Sequence, residues 1–354
     1  MNPRKLITFS FCLWIVLAWA ASSNLLSLQE EQKGVIYIPE QVKKVIQEGI
    51  QTRESRQDIP FSIVHHLYFP AQQHIHSIFI FNVKNSDLGF APAVIPKKEK
   101  GEPAQEPEAA AQAMLTSENH VFLQVNKLEN ASPGELVKEV YIPFNLETTE
   151  STYDPEQEEI YTAGYPLPPG DYLLSMVIAS KNLEKISTQY LELSLPAPFD
   201  STGELSTTPL FFVKEIKQVS TPEETVEIHM GFFAYSILQI EPNFENLFSP
   251  EDNLDIFFFI FGAQPNAQNQ FDIEVNYEIT QAKETVIRFE PTTYPSPLIS
   301  QPLPLKKTVL TKSDEGEKKE SKNLEEGAYT LSIKINDRST GKSLEKTMDF
   351  EVKK

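Results

Sequence analysis

The chain has 354 residues, with 31 Lys and Arg against 50 Asp and Glu, a formal net charge of −19. Hydrophobic residues make up 40%, aromatics 10% and charged residues 23%, and Pro outnumbers Gly by 26 to 13. These proportions exclude collagen, a polytopic membrane protein and a wholly disordered chain. The acidic balance also argues against a nucleic-acid binder, which needs a basic stripe to displace phosphate counterions. The length points to two domains.

Residues 1–20 read as a secretory signal peptide. Arg4 and Lys5 make a positive start, Leu6 to Leu17 is an apolar run too short to span a bilayer comfortably, and Ala18-Trp19-Ala20 is an A-x-A cleavage site. Cleavage removes the single cysteine, Cys12, and both tryptophans, Trp14 and Trp19. The mature chain then has no disulfide to staple it and relies on apolar cores, which two domains of this total length supply. No second long apolar segment follows, so the expectation is an exported protein of the periplasm or the exterior with no integral membrane segment after cleavage. The sequon Asn130-Ala131-Ser132 matters in a eukaryotic secretory route alone, and Pro133 beside it disfavours glycosylation.

Residues 21–58 form an N-terminal segment containing the one good helix, about 39–53. Val42, Val45, Ile46 and Ile50 share a face and Pro39 suits the first turn. The helix is expected to cap the first domain. That domain, a β-sandwich, spans 59–196 and carries a Lys-, Glu-, Pro- and Ala-rich mobile insertion at 97–113. A Pro/Ser/Thr-rich linker follows at 197–208. A second sandwich spans 209–354, with five prolines at 291–304 that suit an edge strand or an extended connection, and a charged loop at 312–322. Phe257-Phe-Phe-Ile-Phe261 is a continuous apolar run, as expected of a strand buried on both faces or lying at a domain junction.

The two-sandwich plan rests on an internal repeat. Leu167-Pro-Pro-Gly-Asp-Tyr-Leu-Leu-Ser175 matches Leu324-Glu-Glu-Gly-Ala-Tyr-Thr-Leu-Ser332 at an offset of 157, with five of nine positions identical. Upstream, Leu123-Gln-Val-Asn126 matches Ile273-Glu-Val-Asn276 at offset 150, and Ser77 to Phe81 resembles Asp255 to Phe259. Matched pieces such as Tyr329 to Ile335 alternate at period two, the mark of half-buried strands. Turn residues Asn336 to Gly341 then join two strands of a terminal hairpin. Gly170 and Gly327 precede their strands where a turn requires positive φ. The fold class expected is mainly β: two tandem Ig-like or fibronectin-III-like antiparallel sandwiches with one short N-terminal helix.

Phe248-Ser-Pro-Glu-Asp-Asn-Leu-Asp-Ile-Phe-Phe-Phe259 and Leu324-Glu-Glu-Gly-Ala-Tyr-Thr-Leu-Ser-Ile333 resemble the C-terminal β-sandwich of bacterial secreted proteins of the GWxTD-motif group. The resemblance covers about 209–354, with a weaker echo in the first half; the motif that names the group is absent. It implies an Ig-like fold and an extracytoplasmic setting, and no activity.

The chain has no Gly-x-Ser-x-Gly elbow, His-Glu-x-x-His pair, P-loop or dinucleotide fingerprint, and no catalytic residue or cofactor is nominated. Four of the six histidines fall within twelve positions: His65, His66, His74 and His76. On a hairpin, His74 and His76 share a face and His65 or His66 sits opposite, an arrangement that suits Zn²⁺ or Cu²⁺ if the imidazoles converge. Asp252, Asp255, Asn336 and Asp337 are oxygen donors without the EF-hand spacing, and turn formation explains them more simply. The function expected is a non-enzymatic, exported tandem module that binds another envelope or extracellular protein, with the loops at 97–113 and 312–322 as contact surface. The alternatives are a ligand module, for metal at the histidines or for polysaccharide, and an accessory module of a hydrolase.

Overall fold

The computed structural model describes residues 38–93, 113–197, 203–221, 226–313 and 316–354. The signal peptide expected at 1–20, the insertion expected at 97–113 save Ala113, and 198–202 of the expected linker lie outside these residues. The described chain is mainly β, its sheets packed as sandwiches with one short α-helix.

Helix α1 (Glu40–Gly49) starts after Pro39 and buries Val42, Val45 and Ile46. It is shorter than the 39–53 expected, because Ile50 to Arg53 continue as a turn in which Arg53 takes a left-handed φ of 62°. The first unit then runs through β1 (Phe61–Ala71), β2 (His74–Lys84), β3 (Ala91–Pro92), β4 (Met114–Glu129), β5 (Ser132–Thr149), β6 (Glu158–Leu167), β7 (Gly170–Ser180) and β8 (Ile186–Leu195). Strands β3, β4, β5, β7 and β8 make sheet I; β1, β2 and β6 make most of sheet II.

The second half continues with β9 (Ser206–Thr207), β10 (Phe212–Gln218), β11 (Ile228–Met230), β12 (Phe233–Tyr235), β13 (Leu238–Asn243), β14 (Leu247–Phe248) and β15 (Asn253–Phe261). It ends with β16 (Ile273–Gln281), β17 (Glu284–Arg288), β18 (Thr292–Tyr294), β19 (Leu298–Pro304), β20 (Lys306–Ser313), β21 (Gly316–Asn323), β22 (Gly327–Asp337) and β23 (Lys342–Val352). Sheet III holds β9, β10, β12, β13, β15 and β19; sheet IV holds β14, β16, β17, β18, β22 and β23. Strand β11 leaves its own half and pairs with β6, completing sheet II.

Three apolar clusters order these layers. Helix α1 covers the outer face of sheet I through Ile46, Phe122, Leu173 and Val177. A large core joins sheets I, II and III: Phe81 meets Phe144 edge-on at 6.0 Å, and Phe69 meets Phe233 at 6.0 Å and Phe257 at 5.3 Å. A further core fills the space between sheets III and IV, where Phe212 packs on Phe248 and Phe350. The result is a stack of helix, I, II, III and IV. Sheets II and III are both internal, so β15 divides its side chains by parity. Leu254, Ile256, Phe258 and Ile260 enter the core toward sheet IV, and Phe257, Phe259 and Phe261 enter the one shared with sheet II. The phenylalanine run is therefore a strand buried on both faces at the junction, as its composition implies.

Two segments differ from expectation. Residues 206–208 of the linker are structured: β9 pairs with Ile260 and Phe261, and Thr208 exchanges hydrogen bonds with Phe259 through its backbone N–H (3.0 Å) and its Oγ1 (3.1 Å). Backbone groups of β15 buried here need partners, and these residues supply them. The charged loop at 312–322 lies within the β20–β21 hairpin, which forms a two-stranded sheet of its own.

The repeat is a true duplication of topology. The order β1-β2-β6 in sheet II corresponds to β10-β15-β19 in sheet III, and β5-β4-β7-β8 in sheet I to β17-β16-β22-β23 in sheet IV. The repeated Leu-x-x-Gly-x-Tyr segment makes the same corner twice. Tyr172 Oη donates to the carbonyl of Pro168 (3.0 Å), and Tyr329 Oη donates to that of Glu325 (2.9 Å). Gly170 and Gly327 hold φ near 149° and 152° on the way in, which a side chain resists. The match at offset 150 is not structurally equivalent. Leu123 faces Met176, whose counterpart Ile333 faces Tyr277, so the register places Leu123 with Tyr277 and not with Ile273.

Candidate functional site

The seam between sheets II and III is crossed by residues 228–235. Strand β11 is hydrogen-bonded to β6, Gly231 turns the chain at φ 78°, and β12 joins sheet III beside β13. Polar contacts secure the crossing: Gly231 N–H donates to Ile160 O (2.9 Å), Thr162 Oγ1 to Phe232 O (2.7 Å) and Tyr235 Oη to Pro70 O (2.8 Å). Beneath it lies a cavity of ≈ 10 Å³ lined by His76, Ile78, Thr162, Gly164, His229, Phe233 and Ala234. That is room for a single water.

The histidines that the sequence groups together are distributed over both faces of the β1–β2 hairpin. Register pairs His65 with Ile80, His66 with Phe79, Phe69 with His76 and Ala71 with His74. His74 and His76 therefore share a face, as expected, with His65 farther along it, and His66 points to the opposite face. His65 stacks on Phe244 at 3.9 Å and is lowered in pKa by burial. His66 stacks on Phe79 at 5.3 Å, its Nε2 has no hydrogen-bond partner, and burial lowers its pKa to about 4. His74 is exposed at the start of β2. His76 is 4% exposed; burial lowers its pKa to about 4, opposed by a hydrogen bond to the Ala234 backbone and aided by the nearby His229. Among the described residues no three His, Cys, Asp or Glu side chains are placed to hold a metal ion.

The structure instead brings His76 together with His229, a residue the sequence does not single out. The buried Nε2 of His229 has no hydrogen-bond partner. The two are far apart in the chain, and pairing of β11 with β6 is what joins them; no local pattern announces it.

The oxygen donors have structural work. Asp252 Oδ2 accepts from Ser249 N–H (2.6 Å) and closes a turn. Asp337, 1% exposed, accepts from the N–H groups of Gln264 and Ser339 and from Thr340 Oγ1. Asn336 Nδ2 donates to Glu274 (3.3 Å); Asp255 is the exception, its buried Oδ1 having no hydrogen-bond partner and its pKa raised by burial. A second cavity, of ≈ 170 Å³, opens at the loop end of the first sandwich between Asp87, Leu88, Asn119, Ser180, Asn182 and Lys185. Asn119 is fixed there by donating to Leu88 O and Ser117 Oγ.

No known family matches the chain, and no curated protein matches it. Among solved structures it is similar to a Salmonella alpha-2-macroglobulin variant at 8% identity and a TM-score of 0.16, over 84% of this chain and 17% of that one. The chain thus spans a small part of that protein's length.

Proposed function

We propose that the protein is an exported, non-enzymatic scaffold that binds another envelope or extracellular protein. The observation that carries this reading is the β20–β21 hairpin. In the first unit β6 passes to β7 through Pro168 and Pro169 alone, whereas the second unit inserts a separate two-stranded sheet between β19 and β22. An insertion that adds nothing to either sandwich sheet is available for recognition. The core shared by sheets I, II and III joins the two sandwiches, so a partner gripped by the hairpin is held at a set orientation to the first.

Cross-linking the exported full-length chain in its native envelope and medium tests this. The expected result is one dominant protein whose cross-links map to 306–323 and which disappears when that hairpin is replaced by Pro-Pro. A partner retained after the replacement, or cross-links confined to the sandwich sheets, overturns the assignment.

A further inference from the structure

The β11–β12 crossing is a strap: one end belongs to sheet II, the other to sheet III, its turn is held by two hydrogen bonds to β6 residues, and Tyr235 at its far end donates to Pro70 of β1. Two imidazoles face the cavity beneath it, His76 from β2 and His229 from the strap itself. The other surroundings of His76 offer no negative charge. Phe69 lies opposite it on β1 and Pro166 on β6, and β12 presents Phe233, Ala234 and the hydroxyl of Tyr235, which burial keeps neutral. A charged His76 would thus sit in an apolar seam facing a second imidazole, with a cavity too small to admit a hydration shell.

We propose that residues 228–235 form an acid-released latch, in which protonation of His76 against His229 detaches the strap from sheet II and opens the seam between the sandwiches. The sign follows from linkage. His76 binds its proton less readily when buried than when the strap is lifted, so acid favours the lifted state. The stabilisation is complete above the ordinary histidine value of 6.5 and is lost as the pH falls toward about 4. Between pH 7 and pH 5 the opening equilibrium of the strap rises about 20-fold. His66, on the other face of β1 and stacked on Phe79, titrates in the same window, so the test must separate its effect from that of His76 by location.

Hydrogen exchange of the full-length chain read by mass spectrometry, corrected for intrinsic rate, does so. The expected result at pH 5 is a loss of about 20-fold in protection at 228–235, with the amides of β22 and β23 unchanged. In His76→Gln the loss falls below about twofold, whereas His66→Gln retains it. Equal protection of the strap at both pH values, parallel loss across β22 and β23, or a full acid response in His76→Gln overturns the proposal. If His76→Gln does not fold, imidazole NMR of the unaltered chain decides. The His76 resonance must titrate together with strap opening, and a His76 that stays neutral while the strap opens contradicts the latch.

Discussion

Strands β7 and β22 occupy the same place in the two sandwiches and begin with the same Gly-x-Tyr corner, yet they are buried differently. In β7 both faces are covered: Leu174, Met176 and Ile178 enter the sandwich core, and Leu173, Val177 and Ala179 lie under helix α1. In β22 the inner residues Tyr329, Leu331, Ile333 and Ile335 are buried, while Thr330, Ser332 and Lys334 lie on the polar outer face. Thr330 there donates to Asp349 and Ser332 to Glu345. One topology therefore takes two sequence patterns according to what lies on the outside of the sheet. Apolar runs mark the strands of internal layers, and strict alternation marks the sheet that ends the stack.

The comparison is most strongly tested at the internal layers. Truncation by Phe257→Ala removes a ring buried between sheets II and III and is expected to cost about 3–5 kcal/mol in denaturant unfolding. A cost below about 1 kcal/mol would mean that the seam is not a packed core. Leu173→Ala, beneath the helix, is expected to cost about 2–5 kcal/mol. Its positional counterpart is Thr330, so an equal loss from Thr330→Ala would erase the distinction between the outer faces. The shared corner predicts near-equal costs: Tyr172→Phe loses a hydrogen bond shared between the carbonyls of Pro168 (3.0 Å) and Pro169 (3.4 Å), Tyr329→Phe loses the one to Glu325 (2.9 Å), and each costs about 1 kcal/mol, read by thermal or chemical unfolding. Unequal costs would show that the two corners are not energetically equivalent. The smallest effect is expected for Lys334→Ala on the exposed face of β22, within about 0.5 kcal/mol.

Much of this architecture is legible in the sequence. The spacing of Val42, Val45 and Ile46 identifies the helix, the alternation from Tyr329 to Ile335 identifies an outer-layer strand, and the run from Phe257 to Phe261 identifies an inner one. The alignment of β16 with β4 is not legible, for a physical reason. A period-two pattern is unchanged by a slip of any even number of residues, so the match of Leu123 to Ile273 keeps every face while missing the register by two pleats. The hairpin at 306–323 is hidden because its composition is that of a solvated loop. The strap is hidden because β11 is three residues long and pairs with a strand from the other half of the chain. For the same reason the sequence groups His76 with its neighbours His74 and His66, when its companion in the fold is His229. Of the four clustered histidines, His66 alone lies on the opposite face; His65 and His74 share the face of His76 but sit at other positions along the hairpin, so proximity in sequence does not make the imidazoles converge.

Sheets II and III share a core that should bind the two sandwiches into one cooperative unit, and native-state hydrogen exchange across a urea series in Phe69→Ala tests that coupling. Phe69 belongs to the first sandwich and packs on Phe211, Phe233, Tyr235 and Phe257 of the second half. In a single cooperative unit the slowest amides of β7 and of β22 lose protection by the same free energy. Loss confined to β7, with β22 unchanged, would show that the sandwiches unfold independently and would contradict the coupling.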